Sequence, residues 1–161
     1  MRQIIRQREI VTDDWYYAGD ADAVPARTVL PLALFLQAVA DGTAPARGAA
    51  VRLEPADDPA LLAPHLARCA LIVVGFPNVG EGRGFSTGRL LTGRYGFSGE
   101  LRAAGALKRD QLFFLARCGF DAFDLDPAEN LQEALAGFDT FSVAYQDGSR
   151  RVVQPRLRGG P

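Results

Sequence analysis

Histidine occurs once in this chain, at His65, cysteine only twice, at Cys69 and Cys118, and tryptophan and methionine once each. A single histidine placed late in a predicted helix over 58–68, beside the amino-terminal edge of the sheet, leaves a Ser/His/Asp or Cys/His relay without a base where ligands bind. No second histidine or cysteine cluster stands near it as co-ligand, so no metal site is expected. The cysteines form no CxxC pair, which removes the zinc-ribbon, dithiol and iron–sulfur readings. Excess charge is also missing: 18 Lys and Arg face 19 Asp and Glu, for a net charge of -1. That balance supplies no field to gather nucleic acid or an anionic membrane. Long apolar runs are absent too. The longest, Val29 to Ala40, is too short to cross a bilayer and carries Pro31, and residues 1–15 hold no continuous apolar stretch of the secretory kind. A cytoplasmic location and no membrane partner are the expectation.

What is present fits one core: 161 residues, 48% hydrophobic and 23% charged. Residues 1–28 read as an amino-terminal arm, 29–147 as one α/β domain, and 148–161 as a basic tail with Arg150, Arg151, Arg156 and Arg158 before a Gly-Gly-Pro end. Glu9 to Ala18 reads as an edge strand or hairpin arm. Helices are predicted over Pro31–Asp41, Asp58–Arg68, Ser86–Tyr95, Arg109–Arg117 and Pro127–Ala136. Strands are predicted over Ala49–Leu53, Ala70–Phe76, Glu100–Ala104 and Ala122–Leu125, with a last apolar run over Thr140–Tyr145. Leu66-Ala67-Arg68-Cys69 and Leu115-Ala116-Arg117-Cys118 each close a helix and lead into an apolar strand. The echo predicts repeated βα units with a mainly parallel sheet of about four or five strands, as an open layered sheet or a partial barrel. Both cysteines then lie at the amino-terminal sheet edge as buried, inert thiols.

The segment Gly75 to Phe123 crowds glycine, arginine and polar side chains, and marks the candidate functional surface. Its loop Pro77 to Ser86 follows a buried strand and opens a helix, where backbone amides favour an anion. Gly82, Gly84 and Ser86 are the candidate donors, with Arg83 and Arg89 as cationic help, although the spacing is neither GxGxxG nor a GK[ST] phosphate loop and a merely structural turn is the alternative. Without either fingerprint no cofactor is expected. Glu100 and Arg102 share one strand face, as an internal ion pair or as functional groups, with Lys108 and Asp110 at the next strand end. Glu100 and Asp110 are the candidate proton carriers, and Arg102 and Lys108 join the anion-binding set. Asp124 and Asp126 read as solvated turn carboxylates or as oxygen ligands for a hard cation. Leu112 to Leu115 is apolar around much of its helix, as a double-sided core element or a partner surface.

Gly75-Phe76-Pro77, Gly82-Arg83-Gly84-Phe85-Ser86, Gly96 to Ala103, Asp110-Gln111 and Gly119 to Phe123 carry a resemblance to the bacterial domain of unknown function family 934, extending over about Val29 to Tyr145. The chain departs from the family's usual residues at Val79, Glu81 and Ala106, the last removing a carboxylate. The resemblance implies a link with sulfite reduction and assimilatory sulfur metabolism, as an oxidoreductase component or as an accessory partner of a sulfite reductase subunit. The alternative is a small anion-binding enzyme acting on a sulfur oxyanion or a phosphorylated metabolite at the Gly80–Ser86 loop.

Overall fold

A computed structural model describes residues 2–20, 25–78 and 80–138. Its eight strands are β1 (Gln3–Arg6), β2 (Glu9–Thr12), β3 (Tyr16–Tyr17), β4 (Thr28–Pro31), β5 (Ala49–Leu53), β6 (Cys69–Phe76), β7 (Glu100–Gly105) and β8 (Ala122–Asp124). They make one sheet in the order β2-β1-β8-β7-β6-β5-β4-β3. From β3 to β8 every neighbouring pair is parallel, while the β1–β2 hairpin is antiparallel and adds to the β8 edge. Parallel strands laid down in chain order, each joined by a right-handed crossover, place their connections on one face. The sheet curls away from that face into a half-barrel, as in the first turns of a βα barrel.

The mainly parallel α/β reading therefore holds, in its partial-barrel form. The sheet is wider than expected, because the short β1 and β4 carry too few residues to show a period, and because the edge strand or hairpin arm read over Glu9–Ala18 divides into β2 and β3. The amino-terminal arm thus contributes β1, β2 and β3 to the sheet. Pro31 closes β4, and α1 (Leu32–Ala40) follows directly. The helix expected over 58–68 is instead two 3₁₀ segments, Pro59–Leu61 and Ala63–Arg68. Pro64, inside the segment, removes an amide donor that a continuous α-helix needs and clashes with the preceding turn, whereas Pro59 sits at the first position, where a helix tolerates proline. α2 (Arg83–Arg89) starts three residues ahead of Ser86 and runs on into a π-helical turn, Leu90–Arg94. α3 (Leu112–Arg117) follows a 3₁₀ turn at Arg109–Gln111. Residues 131–138 are helical, later than expected, because Pro127 and Ala128 form a turn. The Thr140–Tyr145 run and the basic tail lie outside the described residues.

Strand alternation sorts the core. Val51, Leu53, Ile72, Val74, Phe76, Leu101, Ala103 and Phe123 face the helices in the larger cluster. Each large aliphatic or aromatic side chain buried there contributes about 1.5–3 kcal/mol relative to exposure. The concave face holds a smaller apolar set, Val29, Ala50, Leu71, Val73 and Ala104, with Trp15 and Tyr17 against it. The rest of that face is polar. Residues 13–15 join β2 at one sheet edge to β3 at the other, and so cross the open side of the half-barrel. Asp14 ties the two edges, pairing with Arg27 at 2.6 Å and Arg6 at 3.9 Å.

Candidate functional site

Residues i and i+2 of a strand share a face, so the register sets Arg6 of β1, Arg52 of β5 and Glu100 and Arg102 of β7 on the concave side. Asp124, at the end of β8, shares it, as does Glu54 just past β5. These side chains form a line of alternating charge from the floor of the half-barrel to its mouth. Arg6 pairs with Glu100 at 3.1 Å. Glu100 Oε1 accepts from Arg102 Nε at 3.0 Å and Nη2 at 2.8 Å, and Asp13 Oδ2 accepts from Arg102 Nη1 at 2.9 Å. Asp13 also meets Arg2 at 3.3 Å, which reaches on to Asp124 at 3.6 Å. Asp124 Oδ2 then accepts from the Tyr17 hydroxyl at 3.3 Å. The Tyr17 ring has the Arg2 guanidinium 4.3 Å and the Arg52 guanidinium 5.6 Å from its centroid. Arg52 closes the line on Glu54.

The two ends differ in access. Arg102 is 0% exposed. Burial alone would lower its pKa, but Glu100 and Asp13 more than offset that, and it remains raised and charged. At the mouth the side chains of Arg2 and Arg52 are 37% and 29% exposed, and that of Asp124 13%. Gly75 of β6 lies beneath: a Cβ there would stand 2.5 Å from Glu54 Oε2 and 3.0 Å from Arg52 Nη2. Only a residue without a side chain lets the Arg52–Glu54 pair lie across β6. The mouth is also the carboxyl end of the parallel strands, where barrel and half-barrel sites form.

Burial raises the pKa of Asp124, and Arg2 and Arg102 offset it only in part. It raises that of Tyr17 as well, with Asp124 adding to the effect. A raised carboxyl pKa means that folding favours the protonated form, so its stabilising contribution is present below the unfolded value of about 3.9 and is lost as pH rises through the folded value. Asp124→Asn mimics the protonated group, and we expect it to melt above the parent at neutral pH and level with it in acid. Melting temperature followed against pH checks this; a difference independent of pH would show that titration of Asp124 is not its source, and a less stable variant at neutral pH would show that the carboxylate stabilises the mouth.

The residues marked by sequence divide between the two faces. Glu100 and Arg102 are concave, but they form the buried ion pair of the floor. Gly82, Arg83, Gly84, Ser86 and Arg89 lie on the opposite, helix-bearing side. Gly82 is the N-cap of α2, Ser86 sits inside the helix rather than capping it, and the Arg83 amide donates to Glu81 Oε1 at 3.0 Å. Gly84 is packed on the Phe76 ring, and Arg89 stacks 5.6 Å from the centroid of Phe114. Lys108 is 3.8 Å from Glu129, and Asp110 is exposed in the 3₁₀ turn after β7. The anion set foreseen at the glycine loop is thus not drawn together with Arg102. Cys69 begins β6 and Cys118 follows α3, at the amino-terminal edge as expected; burial pushes the Cys69 thiol up to about 11, away from reactivity. His65 stacks edge-on against Phe35 at that same edge, 6.0 Å between ring centres. No cluster of three or more His, Cys, Asp or Glu suited to a metal occurs among the described residues, and no helix among them is long and apolar enough to cross a membrane.

Arg2, Asp13, Tyr17, Arg52 and Glu54 were not singled out from sequence. Arg52 and Glu54 carried a usable signal, since they repeat in β5 the i, i+2 charge pair that drew attention to Glu100 and Arg102. Tyr17 and Asp13 carried none, because their place depends on the crossing of the half-barrel by residues 13–15.

Fold and site together define a mixed α/β half-barrel with a polar concave face open at the carboxyl ends of its strands. The chain belongs to the family described as "Bacterial protein of unknown function (DUF934)", whose profile matches residues 50–155. That span contains Arg52, Glu54, Gly75, Glu100, Arg102 and Asp124, whereas Arg2, Asp13 and Tyr17 precede it. No curated protein and no solved structure matches the chain.

Proposed function

We propose that this protein binds a small anion at the mouth of its concave face, between Arg2 and Arg52 and beside Asp124, which serves as the proton carrier. The observation that supports this most is the flanking of Tyr17 by two partly exposed guanidinium groups at the strand ends. Each meets its carboxylate through Nε, and a guanidinium has four further N–H donors in a planar fork suited to an oxyanion. Asp124, held by Tyr17 and Arg2, is placed to give or take a proton as the ligand's charge changes. The link with sulfite reduction that the family resemblance implies makes a sulfur oxyanion the first ligand to test, with phosphorylated metabolites as the comparison. Titration calorimetry with sulfite, sulfate and phosphate is expected to show saturable binding that weakens by about 1.5–3 kcal/mol in Arg52→Ala, the worth of a charge-assisted hydrogen bond. Binding unchanged in Arg52→Ala, or no binding of any of these anions, would refute the mouth as the site.

A second reading rests on a separate observation. Phe114 is 43% exposed on α3, its ring 5.0 Å from that of Phe85 and capped by Arg89. Exposed aromatic and arginine side chains are enriched where proteins dock. This supports an accessory role beside a sulfite-reducing enzyme, with α2 and α3 as the contact. Capture of a reductase subunit that Phe114→Ala abolishes would favour it; capture that survives the change would count against it.

A further inference from the structure

A second cavity lies at the other end of the strands. It measures about 440 Å³ and is lined where β4 and β5 begin, by Thr28 and Leu30, by Ala49 and Ala50, and by Phe35 and Ala38 of α1. Trp15, in the crossing segment, and the loop from Thr43 to Gly48 complete it. The volume is in the range of small-molecule sites. Three features suit it to a ligand. Its wall is mostly carbon, with an indole and a phenyl ring among alanines, so an aromatic or branched aliphatic body finds contact on several sides. Its rim is held: the amides of Thr43 and Ala44 donate to Ala38 O at 2.8 and 3.0 Å, and Arg68 Nη1 donates to Pro45 O at 3.4 Å. Among the described residues that line it, Arg47 is the only charged one; it is exposed and pairs with no carboxylate among them.

We propose that this cavity binds an amphiphilic monoanion, an aromatic or branched aliphatic body carrying one carboxylate-like head, with the body against Trp15 and Phe35 and the head on Arg47. The proposal is independent of the mouth, since none of these residues belongs to the Arg2–Tyr17–Arg52 cluster. An apolar wall gives affinity for the body, and the Arg47 guanidinium in the lining selects the sign of the head. The small side chains explain why the hollow exists at all: Ala38, Ala44, Ala49 and Ala50 stand where larger residues would fill it.

Trp15 is the only tryptophan of the chain, so all indole emission comes from a residue that lines this cavity. The test titrates the full-length protein with 4-phenylbutyrate and with its neutral analogue 4-phenylbutan-1-ol. A saturable change in Trp15 emission is expected with both, the acid binding more tightly. Arg47→Gln should weaken the acid about tenfold, as the loss of one charge-assisted contact implies, and leave the alcohol unchanged. Ala38→Leu, which fills the hollow, should abolish the response; Ala44→Leu blocks the same space and replaces it if the first variant fails to fold by circular dichroism. Absence of a saturable response to either probe, a response that persists in the filled variant, or equal weakening of both probes by Arg47→Gln would each overturn the proposal.

Discussion

Replacing Arg102 by alanine is expected to lower the unfolding free energy by about 3–5 kcal/mol, the usual cost of removing one partner from a buried ion cluster. Arg102 is wholly enclosed and donates three hydrogen bonds, two to Glu100 and one to Asp13. Its loss leaves two acidic side chains inside the half-barrel, with only Arg6 and Arg2 still in reach. It also loosens residues 13–15, because Asp13, beside Asp14, is one of the points at which that crossing segment is anchored to the sheet. The variant is therefore expected to lose ligand affinity at the mouth together with stability, since Tyr17 follows directly in the chain. Removing all three charges together, as Arg102→Met with Glu100→Gln and Asp13→Asn, should recover much of the loss, because an apolar or neutral filling escapes the desolvation cost. Denaturant unfolding of the parent, the single variant and the triple variant measures both effects. A single variant within about 1 kcal/mol of the parent would show that the surrounding water and arginines compensate the buried acids, against the usual penalty for an unpaired buried charge.

The same contrast explains what the sequence made legible. β5 to β8 could be read because their residues are buried on both faces and break at helix-forming segments, as in the near-continuous apolar run of β6. β1 and β4 escaped because four residues carry no period, and β1 joins the sheet through β8, more than a hundred positions away in the chain. The edge strand or hairpin arm read over Glu9–Ala18 divides into β2 and β3, which lie at opposite edges of the sheet. The Glu100–Arg102 pair could be placed on one face of its strand, since alternation alone assigns that. Its counter-ion Asp13 could not be named, because that contact follows from how the sheet curls. The candidate mouth needed the same information: Tyr17, Arg2 and Asp124 come from both ends of the described chain and meet only when the hairpin has closed on β8. The helix at 58–68 was misjudged for a local reason, Pro64 in the middle of a segment whose apolar spacing otherwise fits a helix.

The glycines between Gly75 and Gly119 show a further limit, and they carry the second large prediction. A cluster of glycines reads equally as a flexible ligand loop or as a set of close approaches, because both use the missing side chain. Here close approach accounts for several: a Cβ at Gly84 would meet the Phe76 ring at 2.4 Å, and one at Gly88 the Phe120 ring at 2.4 Å. Gly82 is the opposite case, with no atom within 4 Å of such a Cβ. Gly105 is the most demanding. It ends β7 with φ at +122°, and its Cβ would stand 2.4 Å from the carbonyl oxygen of Phe76, on the neighbouring strand. That oxygen already accepts from the Ala106 amide at 2.8 Å, so neither strand end can shift without losing the bond. Gly105→Ala combines backbone strain of about 1–3 kcal/mol with an overpacking cost of about 1–3 kcal/mol. We expect a loss of about 2–6 kcal/mol, which for a chain of this length lowers the melting temperature by at least about 4 °C. Gly82→Ala, made beside it, should move the melting temperature by less than about 2 °C, since a surface change away from such contacts stays within about 0.5 kcal/mol. Thermal unfolding of the two variants separates the roles: comparable losses at both positions would mean that the loop before α2 is as constrained as the end of β7, and a tolerated Gly105→Ala would mean that β6 and β7 do not approach as closely as their register implies.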